Sequence, residues 1–368
     1  MIVDTFAGPG GWDEGLKMIG RTDVVGLEWD AAACATARAA GHARIRTDVA
    51  AYPTEAFRDI EGFISSPPCQ AWSMAGNRKG ELDRANCHRL ADRMADGDDS
   101  LDWTDWEDPR SHLVTQPVRW VRDLRPEWVA LEEVPEVIGL WQHFARIFRD
   151  MGYSVWTGIL CAADYGVPQT RRRAVLMASR VRVVHPPMPT HDEHPGGHDL
   201  FGGSTHAWVS ISEALGWNGS VIHQRRGAGM NERHGVRKDT PDTDPAPTVT
   251  GSIGRRWLVL QSNQRDSAGE YRQCSTDRPA GTITGSGSRS YRWLRASNQA
   301  QSAKDRHPDS RQVTVEEAAV MQSFPADYPW HGTKTKRYEQ VGNAVPPLLA
   351  AHVLAALGAG ELSIGAVA

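Results

Sequence analysis

The sequence predicts an α/β fold, in which a mostly parallel sheet carries helices on both faces and is joined to a smaller, irregular β-rich unit. Over residues 1–180, short apolar runs alternate with helical patterns, as they do in the strand–helix–strand units of a parallel sheet. From 185 to 310 the composition shifts to Gly, Pro, Ser, Thr, His, Arg and Trp, and few helical runs remain. After residue 310, apolar residues again recur at helical spacing. We therefore expect three parts, residues 1–184, 185–310 and 311–368.

The first part contains apolar runs of strand length and longer helical patterns. The predicted strands cover residues 2–6, 24–27, 63–65, 128–131, 155–160 and 174–178. The predicted helices cover residues 12–19, 31–40 and 114–124. In the last part, Thr314 is a candidate N-cap for a helix at 315–321, with Glu316 and Glu317 in its first turn. Together with a helix at 348–357, this helix is expected to return to the first part.

Composition argues against several classes of protein. An apolar run of about 18 residues is missing, so we expect no membrane span, and the N-terminus does not resemble a signal peptide. A cytoplasmic protein is expected. The five cysteines form no C-x-x-C pair, so we expect neither a disulfide framework nor a metal site. The net charge is −4, but residues 181–310 carry 16 Lys and Arg against 13 Asp and Glu, a weak indication of a polyanionic partner.

A glycine-rich turn follows the first predicted strand. Phe6-Ala-Gly-Pro-Gly-Gly11 opens a helix, and its glycines permit close backbone approach to a ligand. Glu28 ends the second strand, where an acid can bind ribose hydroxyls. A tight turn without a ligand is the alternative. Asp13 stands where the dinucleotide motif needs glycine, which argues against a nicotinamide-dependent oxidoreductase.

Two further motifs lie at strand ends. Pro67 and Pro68 stiffen the turn before Cys69, at the edge where parallel sheets carry chemistry. Glu132 and Glu133 end another strand. Because successive strand residues point in opposite directions, only one of these acids is expected to face the site. The alternatives are a buried loop cysteine and a solvated turn.

The third motif precedes the last predicted strand of the first part. Gln169, Arg171 and Arg173 share one face at a period of two, and they offer an amide and two guanidiniums. Guanidinium groups suit carbonyl and phosphate oxygens. The alternative is a basic, exposed edge strand.

In their order along the chain, these motifs resemble those of the cytosine-5 DNA methyltransferases. The matching segments are DTFAGPGGW (4–12), Glu28-Trp29, Asp48, PPCQAWSMAG (67–76), DPRSHL (108–113), EEV (132–134), QTRRR (169–173) and QVGNAVP (340–346). The resemblance implies a Rossmann-like, S-adenosylmethionine-dependent methyltransferase. It would methylate C5 of a flipped-out cytosine in a specific DNA sequence through a covalent Cys69–C6 adduct, and release S-adenosylhomocysteine.

The resemblance implies a cofactor site built from both ends of the chain. Trp29 would pack on adenine, and Asp48 would accept a hydrogen bond from its amino group. The implied cofactor residues are Phe6, Ala7, Gly8, Gly10, Gly11, Glu28, Trp29, Asp48, Val49, Pro68, Asn343 and Val345.

The resemblance also implies the catalytic roles. Cys69 would attack C6 as a thiolate, Glu132 would hold N3 and the exocyclic amine, and Arg173 would hold O2. Arg171 would position the nucleophile loop. Arg171 and Arg173 are both expected to favour the thiolate of Cys69.

Residues 185–310 would then be the target-recognition domain. They hold an internal repeat, at 245–252 and 279–286, each copy followed by Arg-Trp-Leu. The candidate DNA-binding residues are Gln70, Ser73, Arg225, Arg226, Arg255, Arg256, Arg289 and Arg292.

The chain departs from the family pattern at two places. Glu133 stands where the family has asparagine, and it is expected to face the protein and brace the loop while Glu132 keeps the catalytic role. Residues 77–107 form a long acidic stretch, which is expected to be a loop partly directed to solvent.

The implied partner is double-stranded DNA. A cognate restriction endonuclease would act alongside without a stable complex, and we expect a monomer that binds no membrane. Two alternatives stay open: an RNA (tRNA) cytosine-5 methyltransferase of the same fold, and a catalytically inactive DNA-binding homologue. The length of 185–310 favours DNA over RNA, and the intact Cys69 and Glu132 argue against inactivity.

Overall fold

A seven-stranded sheet forms the centre of the molecule. The computed structural model describes residues 1–72, 79–101, 106–195, 205–216, 259–265, 271–275, 278–283, 291–294 and 311–362. The strands are β1 (Ile2–Thr5), β2 (Val24–Glu28), β3 (Ala43–Arg46), β4 (Gly62–Ser65), β5 (Trp128–Glu133), β6 (Ser154–Cys161) and β7 (Arg172–Ser179). They are ordered β3-β2-β1-β4-β5-β7-β6. Only β7 runs antiparallel to its neighbours, so the predicted mostly parallel sheet is confirmed.

Helices cover both faces of this sheet. The helices on the sheet are α1 (Gly11–Met18), α2 (Ala31–Ala39), α3 (Gly80–Ala95), α4 (Gln116–Leu124), α5 (Ile138–Asp150) and, after the helices named next, α9 (Pro347–Ala356). Three others, α6 (Ile211–Ala214), α7 (Val315–Val320) and α8 (Lys334–Asn343), pack together in a separate apolar cluster. Phe63 of β4 packs in one buried apolar cluster with α4 and α5, and its neighbour Ile64 packs in another with α1 and α9. Successive strand residues therefore fill two separate cores, one on each face.

The described part of 185–310 contains strands. A parallel pair consists of β8 (His191–Asp192) and β9 (His206–Ala207). An antiparallel sheet has the order β11-β10-β12-β13. Its strands are β10 (Val259–Arg265), β11 (Tyr271–Ser275), β12 (Tyr291–Leu294) and β13 (Arg311–Gln312), the last of which lies just past the predicted boundary at 310. These strands agree with the predicted β-rich composition of this segment.

The acidic stretch at 77–107 is largely helical, so the expectation of a loop is wrong. Helix α3 buries Cys87, Leu90 and Met94 on one face, and their packing outweighs the acidic composition. Asp83, fully buried, accepts hydrogen bonds from the backbone amides of Glu107 and Asp108 at 2.8 and 3.0 Å.

Several acids of this stretch pair with cations. Asp99 binds Arg122 at 2.8 Å, and Asp92 lies 2.7 Å from a ring nitrogen of His143. These contacts join α3 and the residues after it to α4 and α5. The acidic charge is therefore partly balanced within the protein.

Helices α1 and α9 pack at a distance that only glycine allows. A Cβ on Gly15 would lie 2.7 Å from Ala350 Cβ and 2.8 Å from the Pro347 carbonyl oxygen. A Cβ on Gly11 would lie 2.2 Å from the Val345 carbonyl oxygen. These contacts hold the segment QVGNAVP (340–346) and the residues after it against the glycine-rich segment at 4–12. No helix within the described ranges is long and apolar enough to cross a membrane.

Gly15→Ala should lower the free energy of unfolding by about 1–3 kcal/mol, because the added methyl group overpacks the α1–α9 contact. Gly139→Ala in α5 is the control, since there the methyl group meets only the end of the Arg84 side chain, at 3.3 Å. Urea denaturation followed by circular dichroism measures both. A Gly15 variant as stable as the wild type would contradict the close contact.

Candidate active site

The predicted motifs meet at one edge of the sheet. The carboxyl ends of β1, β2, β4 and β5 lie there, together with the amino end of the antiparallel β7. A cavity of about 820 Å³ opens at this edge. The predicted site residues that line it are Phe6, Ala7, Gly8, Gly11, Glu28, Trp29, Asp48, Val49, Pro68, Cys69, Gln70, Glu132, Arg173, Asn343 and Val345.

The glycine turn presents backbone to the cavity. Phe6 and Gly8 adopt left-handed conformations, with φ of 58° and 55°. A Cβ on Gly8 would meet no atom within 4 Å, so the space above it is open. The Gly8 amide donates to Glu28 Oε2 at 2.8 Å, and the Asp30 amide donates to Glu28 Oε1 at 2.7 Å. Burial raises the pKa of Glu28.

Gly10 does not line the cavity; it lies behind the turn. A Cβ there would lie 2.6 Å from the Tyr328 hydroxyl, which donates to the Pro9 carbonyl at 2.6 Å. Below the turn, Arg44 Nη1 and Nη2 bind the carboxylate of Asp13 at 2.9 and 2.5 Å, with both side chains fully buried. The sequence analysis missed this ion pair, which braces the turn from beneath.

One face of α8 forms a wall of the cavity. Lys336, Glu339, Gln340 and Asn343 all line it, at the spacing of residues that share a helix face. The sequence analysis selected only Asn343, although this spacing was visible in the sequence. Trp29, which also lines the cavity, is 69% exposed, unusual for a large aromatic side chain without a ligand.

Cys69 begins a 3-10 turn, Cys69–Ala71, directly after β4 and the two prolines. Ser66, in the approach to this turn, accepts a hydrogen bond from the Trp12 indole at 2.9 Å. Burial raises the pKa of the Cys69 thiol to about 11, Glu133 adds to the rise, and Arg173 opposes it. The expectation that Arg171 and Arg173 favour the thiolate is confirmed, because both lower the pKa of the thiol, but burial outweighs them and the net pKa is raised.

Arg84 of α3 is a supporting residue that the sequence analysis missed. Its guanidinium lies 5.4 Å from the ring centre of Trp72, which follows the Cys69 turn. It also donates to the Glu136 carbonyl at 2.8 Å, in the turn after β5. Arg84 thus joins the Cys69 turn to the turn after β5 from outside the cavity.

Both acids at the end of β5 line the cavity, so the expectation that only Glu132 faces it is wrong. Glu132 Oε1 binds Arg173 Nε at 2.7 Å, in a nearly buried ion pair. Glu133 Oε2 accepts a hydrogen bond from the Val134 amide. Burial raises the pKa of Glu133 well above its ordinary value, and the charge of Glu132 adds to the rise.

The Gln169 motif has two separate contacts. Gln169, Arg171 and Arg173 are buried while Arg172 is exposed, so the predicted period of two is confirmed. Arg173 belongs to the cavity, but Gln169 and Arg171 hold residues 278–283. Gln169 Oε1 accepts from the Ile283 amide at 3.3 Å, and Arg171 Nη1 donates to the Ile283 carbonyl at 3.1 Å.

Backbone pairing extends this junction. The Thr170 amide donates to the Ala280 carbonyl at 2.7 Å, and the Ala280 amide donates to the Pro168 carbonyl at 2.9 Å. In all four bonds, residues 278–283 contribute only main-chain atoms. The second copy of the internal repeat is thus joined to the strand that carries Arg173.

Most of the candidate DNA-binding residues lie outside the described residues. Gln70 lines the cavity, and Arg292 is a residue of strand β12. Outside the described ranges are Ser73, Arg225, Arg226, Arg255, Arg256 and Arg289.

The lining residues fit a nucleoside-bearing ligand of the kind the resemblance implies. Gly8 leaves open space, Glu28 offers carboxylate oxygens, and Trp29 offers an exposed ring. Asp48 accepts a hydrogen bond from the Ala50 amide at 2.9 Å, which orients its side chain at the cavity wall. Among the described residues, no three His, Cys, Asp or Glu side chains converge as metal ligands would.

Comparison with known proteins identifies relatives along almost the whole chain. The family model for C-5 cytosine-specific DNA methylases matches residues 1–91 and 103–359. The Type II methyltransferase M1.HphI of Haemophilus parahaemolyticus is 26% identical, over 96% of this chain and 86% of its own. The Type II methyltransferase M.XorII of Xanthomonas oryzae is 28% identical, over 95% and 82%.

Solved structures share the fold. A putative DNA modification methyltransferase encoded within an E. coli prophage matches with a TM-score of 0.56 and 19% identity, covering 97% of this chain and 98% of its own. A DNMT2 mutant of Spodoptera frugiperda matches with a TM-score of 0.59 and 15% identity, covering 97% and 99%.

Arg173→Ala should lower the free energy of unfolding by about 3–5 kcal/mol, because it leaves Glu132 as an uncompensated buried acid. Arg172→Ala is the matched control: it removes the same charge from the adjacent, exposed position, and should change stability by less than about 0.5 kcal/mol. Urea denaturation of both variants measures the difference. Equal losses would mean that the Glu132–Arg173 pair is not the buried contact described above.

Proposed function

The chain belongs to the C-5 cytosine-specific DNA methylase family, and from that premise we propose how its own residues carry out the reaction. It is a DNA (cytosine-5-)-methyltransferase, which transfers a methyl group from S-adenosylmethionine to C5 of cytosine in DNA. The observation that carries the proposed mechanism is that Cys69, Glu132 and Arg173 line the same cavity as the glycine turn.

The cofactor is held at the edge formed by β1 and β2. S-adenosylmethionine supplies an electrophilic methyl group when bound. Gly8 and Gly11 provide backbone, Glu28 the ribose acceptors, and Trp29 the surface for adenine. The remaining cofactor contacts fall to Phe6, Ala7, Asp48, Val49, Pro68, Asn343 and Val345, all of them at the cavity wall.

Cys69 acts as the nucleophile. Its sulfur forms a bond to C6 of the flipped cytosine, and the electrons of the C5–C6 double bond make C5 nucleophilic. Glu132, carrying a proton during the reaction, donates a hydrogen bond to N3 and accepts one from the exocyclic amine. Arg173 holds O2, so the charge that develops on the ring is balanced. After methylation C5 loses its proton, the C5–C6 double bond re-forms, and the Cys69–C6 bond breaks.

The high pKa of Cys69 has a consequence for the order of events. With a pKa of about 11, the thiol is protonated near neutral pH in the free protein. The thiolate must therefore form as the base enters and its ring comes to lie against the paired Glu132 and Arg173, with the proton of Cys69 passing to solvent. An enzyme built in this way keeps its nucleophile unreactive until a substrate is present.

We assign residues 1–184 to catalysis and cofactor binding, 185–310 to DNA recognition, and 311–368 to helices that close the cofactor pocket. The contacts of α9 with α1, and of residues 278–283 with the Gln169 motif, support this division. Arg292 and the other arginines of 185–310 are the proposed DNA contacts. We propose a monomer acting on duplex DNA, alongside a cognate restriction endonuclease such as Type II relatives imply.

A tRNA substrate is the rival proposal. The DNMT2 structures of Spodoptera frugiperda and S. pombe are only 15% and 14% identical to this chain. They therefore show that the fold is shared and do not indicate the substrate. The named Type II relatives and the length of 185–310 favour DNA. Methyl transfer from labelled S-adenosylmethionine to duplex DNA and to tRNA, measured side by side, separates the two; methylation of tRNA alone would overturn the DNA assignment.

Cys69→Ser should abolish methyl transfer to DNA while leaving cofactor affinity nearly unchanged. Cys161→Ser is the control, because Cys161 is half-buried and does not line the cavity. DNA with 5-fluorocytosine at the target position should trap the wild type and the Cys161 variant covalently, since fluorine cannot leave C5 as a proton does. Trapping of the Cys69 variant, seen on denaturing gels, would refute the assignment of the nucleophile.

Glu28→Gln should weaken S-adenosylmethionine binding by about 10- to 100-fold, since the loss of a charged acceptor costs about 1.5–3 kcal/mol. The amide would also place a donor against the Gly8 or Asp30 amide. Glu127→Gln is the control, an exposed acid next to the opposite end of β5. Calorimetric titration without DNA measures both, and unchanged affinity of the Glu28 variant would remove this residue from the cofactor site.

A further inference from the structure

Glu133 is a buried acid that the mechanism above does not use. It is 2% exposed and lines the cavity that holds Cys69. One carboxyl oxygen accepts the hydrogen bond from the Val134 amide. The other, Oε1, has no hydrogen-bond partner within the part of the chain that the structure describes. An ionised carboxylate left half-satisfied in such a place is very costly, whereas a neutral acid is much less so.

The charges around Glu133 favour the neutral form. Glu132 on the same strand and Glu136 in the following turn are both acidic, and Arg173 on β7 is the cation that faces them. Arg173 is already bound to Glu132 at 2.7 Å, and that pair is electrically balanced. A negative charge on Glu133 would therefore be an unbalanced one beside Cys69.

The charge of Glu133 affects the pKa of the Cys69 thiol directly. Of the charged groups around Cys69, Glu133 raises the thiol pKa the most, while Arg173 lowers it. Forming a thiolate while Glu133 is ionised would place two negative charges in the same buried part of the cavity. Attack on C6 is consequently easier while Glu133 holds its proton.

We propose that Glu133 is a neutral, proton-carrying acid that sets the charge balance of the nucleophile pocket, and that methyl transfer depends on its keeping that proton. This role rests on the proposed function of Cys69. Glu133 acts through Cys69 and is a positioning residue, not a catalytic one. As the pH rises through the pKa of Glu133, the acid ionises, the thiolate becomes harder to form, and the reaction slows relative to an enzyme whose residue 133 cannot ionise.

The first test detects the proton itself. The infrared difference spectrum between wild type and Glu133→Gln, recorded at neutral pH without DNA or cofactor, should contain the carbonyl band of a protonated carboxyl group. Glu136→Gln is the matched control, a partly exposed acid in the adjacent turn, and its difference spectrum should contain carboxylate bands instead. A carboxylate signal from Glu133 would overturn the proposal.

The second test follows Cys69. Alkylation of this thiol by iodoacetamide, measured by mass spectrometry of its peptide from pH 7 to pH 11, should be faster in Glu133→Gln than in wild type at alkaline pH. A difference of about tenfold would correspond to a change of one unit in the thiol pKa. Glu136→Gln should shift the rate less. Identical profiles for wild type and Glu133→Gln would refute the coupling.

The third test uses the reaction. The single-turnover rate of wild type divided by that of Glu133→Gln should fall as the pH rises, whereas the corresponding ratio for Glu127→Gln, an exposed acid next to the opposite end of β5, should stay level. A constant ratio for Glu133→Gln at every pH would mean a purely structural role and overturn the proposal. If no cytosine in DNA is methylated by wild type, the proposed function fails, and the infrared and alkylation results still decide the state of Glu133.

Discussion

The close approach of the two chain ends is the contact on which the cavity depends. Gly11 and Gly15 of α1 allow Val345 and α9 to lie where any side chain would collide with backbone. Interiors are packed too densely for such a contact to shift by an ångström without cost. The glycine turn and the face of α8 are therefore two walls fixed by one junction, although more than 300 residues separate them in the sequence.

A second constraint is the balance of buried charge along the sheet edge. Arg44 matches Asp13 beneath the glycine turn, and Arg173 matches Glu132 in the cavity that Cys69 lines. In each pair a guanidinium on one strand meets an acid on a neighbouring element, which lets both remain buried. Over the ranges of the chain that the structure describes, Glu133 has no such cation of its own, and the role proposed for it differs from that of Glu132 for this reason.

Periodicity predicted most of the sheet, because its strands are short apolar runs buried on both faces. Strand β3 was missed since it lies at the sheet edge and its ends, Ala43 and Arg46, are exposed. Helix α3 was missed because its charges obscured the apolar face. The motifs predicted which side chains share the cavity. The contact of Arg171 with Ile283 could not be predicted, since it joins residues 112 positions apart in a segment without periodicity.

The junction between the Gln169 motif and residues 278–283 has a consequence for how specificity can evolve. The four hydrogen bonds described above end on main-chain atoms of Ala280 or Ile283, and a main chain is the same whatever side chains it bears. Such hydrogen bonds persist when side chains change, provided that residues 280 and 283 stay small or apolar enough for the buried cluster that they share with α7 and α8. Lineages could thus acquire different target sequences while the catalytic edge of the sheet stays untouched.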